Sequence, residues 1–213
     1  MGIDFNEWKN LLLLHKLALD DLETKINITA EEGKLLGEEN PIEHIKRRIK
    51  TPESIIDKLQ RKGLLVTVGS AEANLRDIAG IRITCSFVSD IYKLYEHIQK
   101  RADIEIVETK DYIKNPKPNG YQSLHVIVKV NLHLYTSIQP VYVEVQLRTL
   151  AMDFWASLEH KIYYKYDRQV PEYLTQELKE AAESITALDE KMKNIRDEVE
   201  VIRTTTDQIM LPL

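Results

Sequence analysis

The chain has 213 residues, 43% of them hydrophobic and 30% charged, with only 7 glycines and 7 prolines. That balance supplies a real core and few loops, and it excludes collagenous, low-complexity and disordered chains. A net charge of −5 argues against a protein that coats DNA, and the lone Cys85 excludes an internal disulfide and points to a reducing compartment.

Trp8, Leu12, His15, Leu19, Leu22 and Ile26 recur at steps of 4, 3, 4, 3 and 4, which predicts an N-terminal helix within residues 1–28. Its Leu11–Leu14 run is too short and wrongly flanked for a signal peptide or a membrane span, and Asn6 argues against myristoylation of Gly2. A cytoplasmic protein without a membrane partner is expected. The polar stretch from Thr29 to Asn40, with Gly33 and Gly37, reads as a loop. Asn40-Pro41-Ile42-Glu43 has the residues of a helix start and predicts a helix to about Lys50; Thr51-Pro52-Glu53 predicts another that ends near Gly63.

Ile81 to Phe87 alternates apolar and polar residues and is a half-buried strand. A helix from Ser89 to Arg101, a strand from Ile104 to about Thr109 and a Pro/Gly loop from Lys114 to Gly120 follow. Leu124, Val126, Val128 and Val130 mark a third strand; Val141, Val143, Val145 and Leu147 mark a fourth, before a helix from about Leu150 to Tyr164. On a last helix, residues 172–207, Leu174, Leu178, Ala181, Ile185, Leu188, Met192, Ile195, Val199 and Ile202 form a heptad seam. It packs along the N-terminal helix of the same chain, or it is shared between chains. The predicted fold class is α+β, one domain: a central mixed sheet of about five strands in a core over 40–165, with long helices at both ends.

Four features carry chemistry. Residues 46–62 hold seven cations (Lys46, Arg47, Arg48, Lys50, Lys58, Arg61, Lys62) against two acids. On a helix Ser54, Lys58 and Arg61 share a face, which suits a polyphosphate as well as it suits water. On the fourth strand Tyr142, Glu144, Gln146 and Arg148 alternate with the valines and form either a wall for a polar ligand or an exposed face. Asp77 precedes the first strand and is placed to meet Glu144, where two carboxylates suit Mg²⁺ and substrate phosphates; a turn acid or cap has the same sequence. In Gly120-Tyr121-Gln122-Ser123-Leu124-His125, Tyr121 and His125 stand at a strand start, where a tyrosine is structural or stacks a base and a histidine holds a phosphate or hydroxyl. No GxxxxGK[ST], GxGxxG, kinase or CxxC pattern occurs, and none of the six histidines is followed by Asp. Phosphates, if bound, are bound by side chains.

Taken in order, Arg48-x-Lys50-x-x-x-Ser54-x-x-x-Lys58-x-x-Arg61-Lys62, Asp77-Ile78-Ala79-Gly80-x-Arg82, Gly120-Tyr121-x-Ser123-x-His125 and Val143-Glu144-Val145-Gln146-Leu147-Arg148-Thr149, followed by Phe154-Trp155-Ala156-x-x-Glu159-His160, resemble the synthetase domain of the RelA/SpoT family in its stand-alone form, the small alarmone synthetases. The resemblance covers nearly the whole chain. It implies a nucleotidyltransferase-like synthetase fold without the hydrolase domain of the long relatives. The implied reaction moves the β,γ-pyrophosphate of ATP to the ribose 3′-hydroxyl of GTP or GDP, giving AMP and (p)ppGpp. By the same resemblance Arg48 and Arg82 flank the adenine, and Lys50, Ser54, Lys58, Arg61 and Lys62 grip the ATP phosphates. Asp77 and Glu144 hold Mg²⁺, with Glu144 also the base. Tyr121 stacks the guanine, and Lys117, His125, Gln146, Arg148 and Asp153 lie toward the GTP or GDP acceptor. Relatives form homotetramers through their terminal helices. Two other readings use the same residues: a nucleotide- or RNA-binding regulator that has lost catalysis, and a transferase with another acceptor. The paired carboxylates weigh against the regulator, because beside phosphate they only repel unless a metal is present.

Overall fold

Helix α1 (Phe5–Leu35) leads into β1 (Ile42–Ile49), α2 (Pro52–Arg61), α3 (Val68–Asn74), β2 (Ala79–Cys85), α4 (Val88–Lys100), β3 (Ile104–Asp111), β4 (Leu124–His133), β5 (Ile138–Thr149), α5 (Leu150–Tyr164) and α6 (Glu172–Ile209). This computed structural model describes residues 5–164 and 171–209; residues 1–4 of the predicted first helix and residue 165, where the predicted core ends, lie outside the described residues. The strands form one mixed sheet in the order β1-β2-β5-β4-β3, with β2 and β5 parallel and the other neighbours antiparallel. The expected α+β class is borne out.

Alternation decides which face is which. Val141, Val143, Val145 and Leu147 of β5 join Ile81 and Ile83 of β2 and Val126 and Val128 of β4 beneath Ala18, Leu19, Leu22 and Ile26 of α1 and Ile91, Leu94 and Ile98 of α4. Cys85 lies in this core, where burial pushes its thiol up to about 12, so it behaves as a small apolar residue. A second cluster joins Trp8 and Leu11 of α1 to Ile55, Leu59, Ala71, Leu75 and Ile78, and it seats α2 and α3 beside the sheet. Among the described residues no helix is long and apolar enough to cross a membrane.

The segment predicted as a helix from Asn40 to Lys50 is instead the edge strand β1. Asn40 does bond the backbone, its Oδ1 accepting from the Ile42 amide at 3.0 Å, but that turn starts a strand. A bulge between Ile42 and His44 makes the isoleucine spacing look helical. Beyond it Ile45 and Ile49 face the core, and Arg47 joins them on that side by pairing with Asp20 and Glu23 of α1 at 2.5 and 3.2 Å. The predicted loop from Thr29 is helical to Leu35, and the short α3, capped by Thr67, was not predicted.

The heptad seam divides. Leu178 and Ile185 pack with Trp155 and Ala156 of α5 and with Tyr121, joined by Ala182 and not by the predicted Ala181, which is exposed, while Leu188, Met192, Ile195, Val199 and Ile202 are 46–65% exposed. The expected packing of the seam along α1 is therefore not what this chain does: α1 is committed to the opposite face of the sheet. Where α6 passes the loop before β4 it comes very close. A Cβ on Gly120 (φ 86°) would stand 2.5 Å from the Ala182 Cβ and 3.2 Å from the Lys179 Cα. Gly120→Ala should therefore lower stability by about 2 kcal/mol, from overpacking and a left-handed backbone together, read from urea unfolding. Adding Ala182→Gly should restore the steric part only.

Candidate active site

The polar face of the sheet is laid out in rungs. Pairing aligns Lys46, Arg82, Gln146, His125 and Lys110 across all five strands, and next to them Arg48, Gly80, Glu144, Ile127 and Glu108. Because the side-chain period of a strand is two, both rungs point away from the core. Lys50 extends the β1–β2 pairing, its amide donating to the Ile78 carbonyl at 2.8 Å, which brings Lys50 to the entry of β2.

Asp77 is held there by two lysines. Lys50 Nζ donates to Asp77 Oδ2 and to its carbonyl, each at 2.9 Å, and Lys58 Nζ of α2 donates to Oδ2 at 2.5 Å. Burial pushes the Asp77 carboxyl up, but the hydrogen bonds from Lys58 and Lys50 and their charges outweigh it, and the net direction is down. Glu144 follows the same balance: burial raises it, and donors at His125 and Gln146 bring it below the ordinary carboxylate range, although the nearby Asp77 charge opposes them. His125 Nδ1 lies 3.2 Å from Glu144 Oε1, and Gln146 Nε2 donates to Oε2 at 2.9 Å.

Two cavities share this floor. One, of about 320 Å³, is lined by Lys46, Arg47, Arg48, Lys50, Asp77, Gly80, Ile81, Arg82, Glu144 and Gln146. The other, of about 250 Å³, is lined by Glu108, Lys110, Tyr112, Lys117, His125, Ile127 and Glu144. Glu144 is the wall common to both. Five cations line the first, and two lysines and a tyrosine the second.

The predicted site residues distribute unevenly over these spaces. Arg48, Lys50, Asp77, Arg82, Glu144 and Gln146 line the first cavity, Gln146 on the side opposite to the acceptor role expected of it. Lys58 reaches the site through Asp77, whereas Ser54, Arg61 and Lys62 stay on α2 outside the lining. Lys117 and His125 line the second cavity, and Tyr121 sits behind it, edge-on to Tyr112 and His125, with the Lys117 ammonium 4.6 Å from its ring centre. Arg148 and Asp153 line neither: Asp153 Oδ1 accepts from Arg82 and Arg148 at 3.0 and 3.2 Å. Glu108, Lys110 and Tyr112 were missed. Residues 108–111 are all polar and carry no alternation; only the pairing of Glu108 with Ile127 and of Lys110 with His125 puts them on this face.

The donor set fits a hard divalent cation. Asp77 Oδ1 is buried without a hydrogen-bond partner among the described residues, and a Cβ on Gly80 would lie 3.9 Å from Glu144 Oε2, in space that glycine leaves open. No group of three or more His, Cys, Asp or Glu that could hold a metal ion exists among the described residues, so a metal here would take two carboxylates and draw its remaining ligands from substrate and water.

Comparison with known proteins points to one family. The family described as a region found in RelA/SpoT proteins matches residues 47–169. GTP pyrophosphokinase YwaC of Bacillus subtilis (strain 168) is 53% identical over 194 residues, 91% of this chain and 92% of that protein. The crystal structure of small alarmone synthetase 2 from Bacillus subtilis superposes with a TM-score of 0.82 at 52% identity, covering 90% of this chain and 99% of the other. That of small alarmone synthetase 1 bound to its product pppGpp superposes with a TM-score of 0.81 at 37% identity, covering 90% and 97%.

The direction of the Asp77 shift has a stability consequence. A carboxyl lowered in the folded state contributes stability that is present above its unfolded pKa of about 3.9 and is lost as pH falls through the folded value. Asp77→Asn should lose stability at neutral pH and show a shallower decline on acidification, read from urea midpoints across the acid range.

Proposed function

The chain belongs to the RelA/SpoT family, and from that premise we infer that it is a (p)ppGpp synthetase, transferring the β,γ-pyrophosphate of ATP to the 3′-hydroxyl of GTP or GDP. One observation carries the reading: Glu144 is the shared wall of a cation-lined cavity and a second cavity carrying lysines and aromatic rings. A phosphoryl donor and a hydroxyl acceptor that meet at a carboxylate need that arrangement.

ATP occupies the first cavity, with Arg48 and Arg82 toward the adenine and Lys50 and Lys58 on the phosphates. Ser54 and Arg61, which share the Lys58 face of α2, and Lys62 beyond them are outer contacts for the phosphate tail. The acceptor enters the second cavity along Lys110, Lys117 and His125, and its guanine stacks on Tyr121 in the place now held by the Lys117 ammonium. The 3′-oxygen bonds to the β-phosphorus as the bond from that phosphorus to the α,β-bridging oxygen breaks. AMP leaves with the bridging oxygen, and the hydroxyl proton passes to the Glu144 carboxylate, whose ionised form the His125 and Gln146 donors favour. Lys50, Lys58 and Arg82 neutralise charge as it develops on the transferred group. Asp77 and Glu144 would hold Mg²⁺, Asp77 through its unpartnered oxygen; when bound, the ion neutralises phosphate charge and polarises the attacking hydroxyl.

A homotetramer is the assembly we propose; the exposed half of the α6 seam supports association between copies, because five large apolar side chains in one row favour burial. Sedimentation equilibrium should return four copies, with Met192→Glu lowering that number. For the activity, purified protein is incubated with ATP, GTP and Mg²⁺, with and without EDTA. AMP should appear one-for-one with a more highly charged guanosine nucleotide, in the metal-containing sample alone. Glu144→Gln should abolish that turnover and leave ATP binding nearly intact. Turnover in the variant would refute the base and metal roles together.

A further inference from the structure

Five side chains on the polar face close a ring. Arg148 Nη2 donates to Tyr121 Oη at 2.6 Å and to Gln146 Oε1 at 3.3 Å. Tyr121 Oη lies 2.7 Å from His125 Nε2, His125 Nδ1 lies 3.2 Å from Glu144 Oε1, and Gln146 Nε2 completes the circuit at Glu144 Oε2. Two arms therefore connect one guanidinium to one carboxylate, one arm to each carboxylate oxygen.

The chemistry of the two ends, with a neutral imidazole between them, orders the protons along both arms. A guanidinium only donates and a carboxylate only accepts. Glu144 only accepts, so His125 Nδ1 carries the hydrogen given to it; in the neutral imidazole Nε2 is then the acceptor, and Tyr121 Oη, which accepts from Arg148, gives its own proton to Nε2. On the other arm Gln146 accepts through its oxygen and donates through its amide, which fixes the amide orientation as well. Arg148 is itself locked: its side chain is 5% exposed, Asp153 accepts from Nη1, and it lines neither cavity.

We propose that Arg148 is a positioning residue for Glu144, aiming the carboxylate through the Tyr121–His125 and Gln146 arms, and that it is not a ligand of either nucleotide. The proposal rests on Glu144 being the base of the reaction inferred above. A glutamate rotates freely about its last bond unless both oxygens are held, and a 3′-hydroxyl needs one lone pair presented to it. Tyr121 has two separable parts in this scheme: a ring that a base stacks on and a hydroxyl that sets the His125 tautomer.

Two measurements test it. In Arg148→Met, kcat should fall about 10- to 100-fold while both KM values stay within about threefold, with Arg148→Lys recovering part of the loss. An acceptor or ATP KM that rises while kcat is kept would make Arg148 a nucleotide ligand and overturn the proposal. Nitrogen-15 NMR of the histidine rings, with His125 assigned by its loss in His125→Gln, should find His125 as the Nδ1–H tautomer in wild type and displaced from it in Tyr121→Phe, a variant that keeps the ring and its packing. Any other form in wild type, or an unchanged signal in Tyr121→Phe, overturns the relay. The NMR reading needs no turnover, so a wild-type protein that makes no guanosine product would sink the synthetase reading and leave the tautomer to be judged by itself.

Discussion

In β5, Val141, Val143, Val145 and Leu147 are buried beneath α1 and α4, and the residues between them, Tyr142, Glu144, Gln146 and Arg148, point the other way. Each buried aliphatic side chain contributes about 1.5–3 kcal/mol relative to exposure. A slip of one residue would expose all four and drive a carboxylate and a guanidinium into the core, where unpaired charge is prohibitively costly. The orientation of the polar floor is thus held by apolar energies on the far side of the sheet. Parallel pairing to β2 then sets Glu144 beside Gly80 and Gln146 beside Arg82, and antiparallel pairing to β4 sets His125 beside Gln146. Chemistry on one face is a by-product of packing on the other.

The charges are disposed against the average of the chain. An acidic protein gathers cations around both cavities, so this face attracts anions against the net charge of the chain. Within that site the lysines already have a partner in Asp77. Two ammonium groups on one carboxylate oxygen leave the other oxygen unclaimed. A phosphate reaching Lys50 and Lys58 would compete with Asp77 for them, and its entry would be coupled to the release of Asp77.

Much of this was legible from residue order. Strict alternation located β2, β4 and β5, and it separated the core residues of β5 from Glu144 and Gln146. Thr51-Pro52 announced α2 with its N-cap, and the structure has Thr51 in that role. The failures have physical causes. Asn40-Pro41 carries the residues of a helix cap, but an Asx turn uses the same side-chain oxygen, and the pairing of β1 with β2 outweighs local propensity. Arg148 and Asp153 look like ligands by type; only tertiary contact reveals that they are each other's partners. The destination of the α6 seam was not legible either, because a heptad repeat states that a row of apolar residues needs cover and does not say which helix supplies it.

The loop that carries Lys117 and Tyr121 meets Lys179 and Ala182 of α6 at Gly120, and Gln122 is bonded to Thr186 of the same helix at 3.2 Å. The wall behind the second cavity is therefore made by residues about sixty positions further along the chain than the loop it supports. A chain cut between β5 and α6 would keep every residue that lines the two cavities and lose the support behind Tyr121.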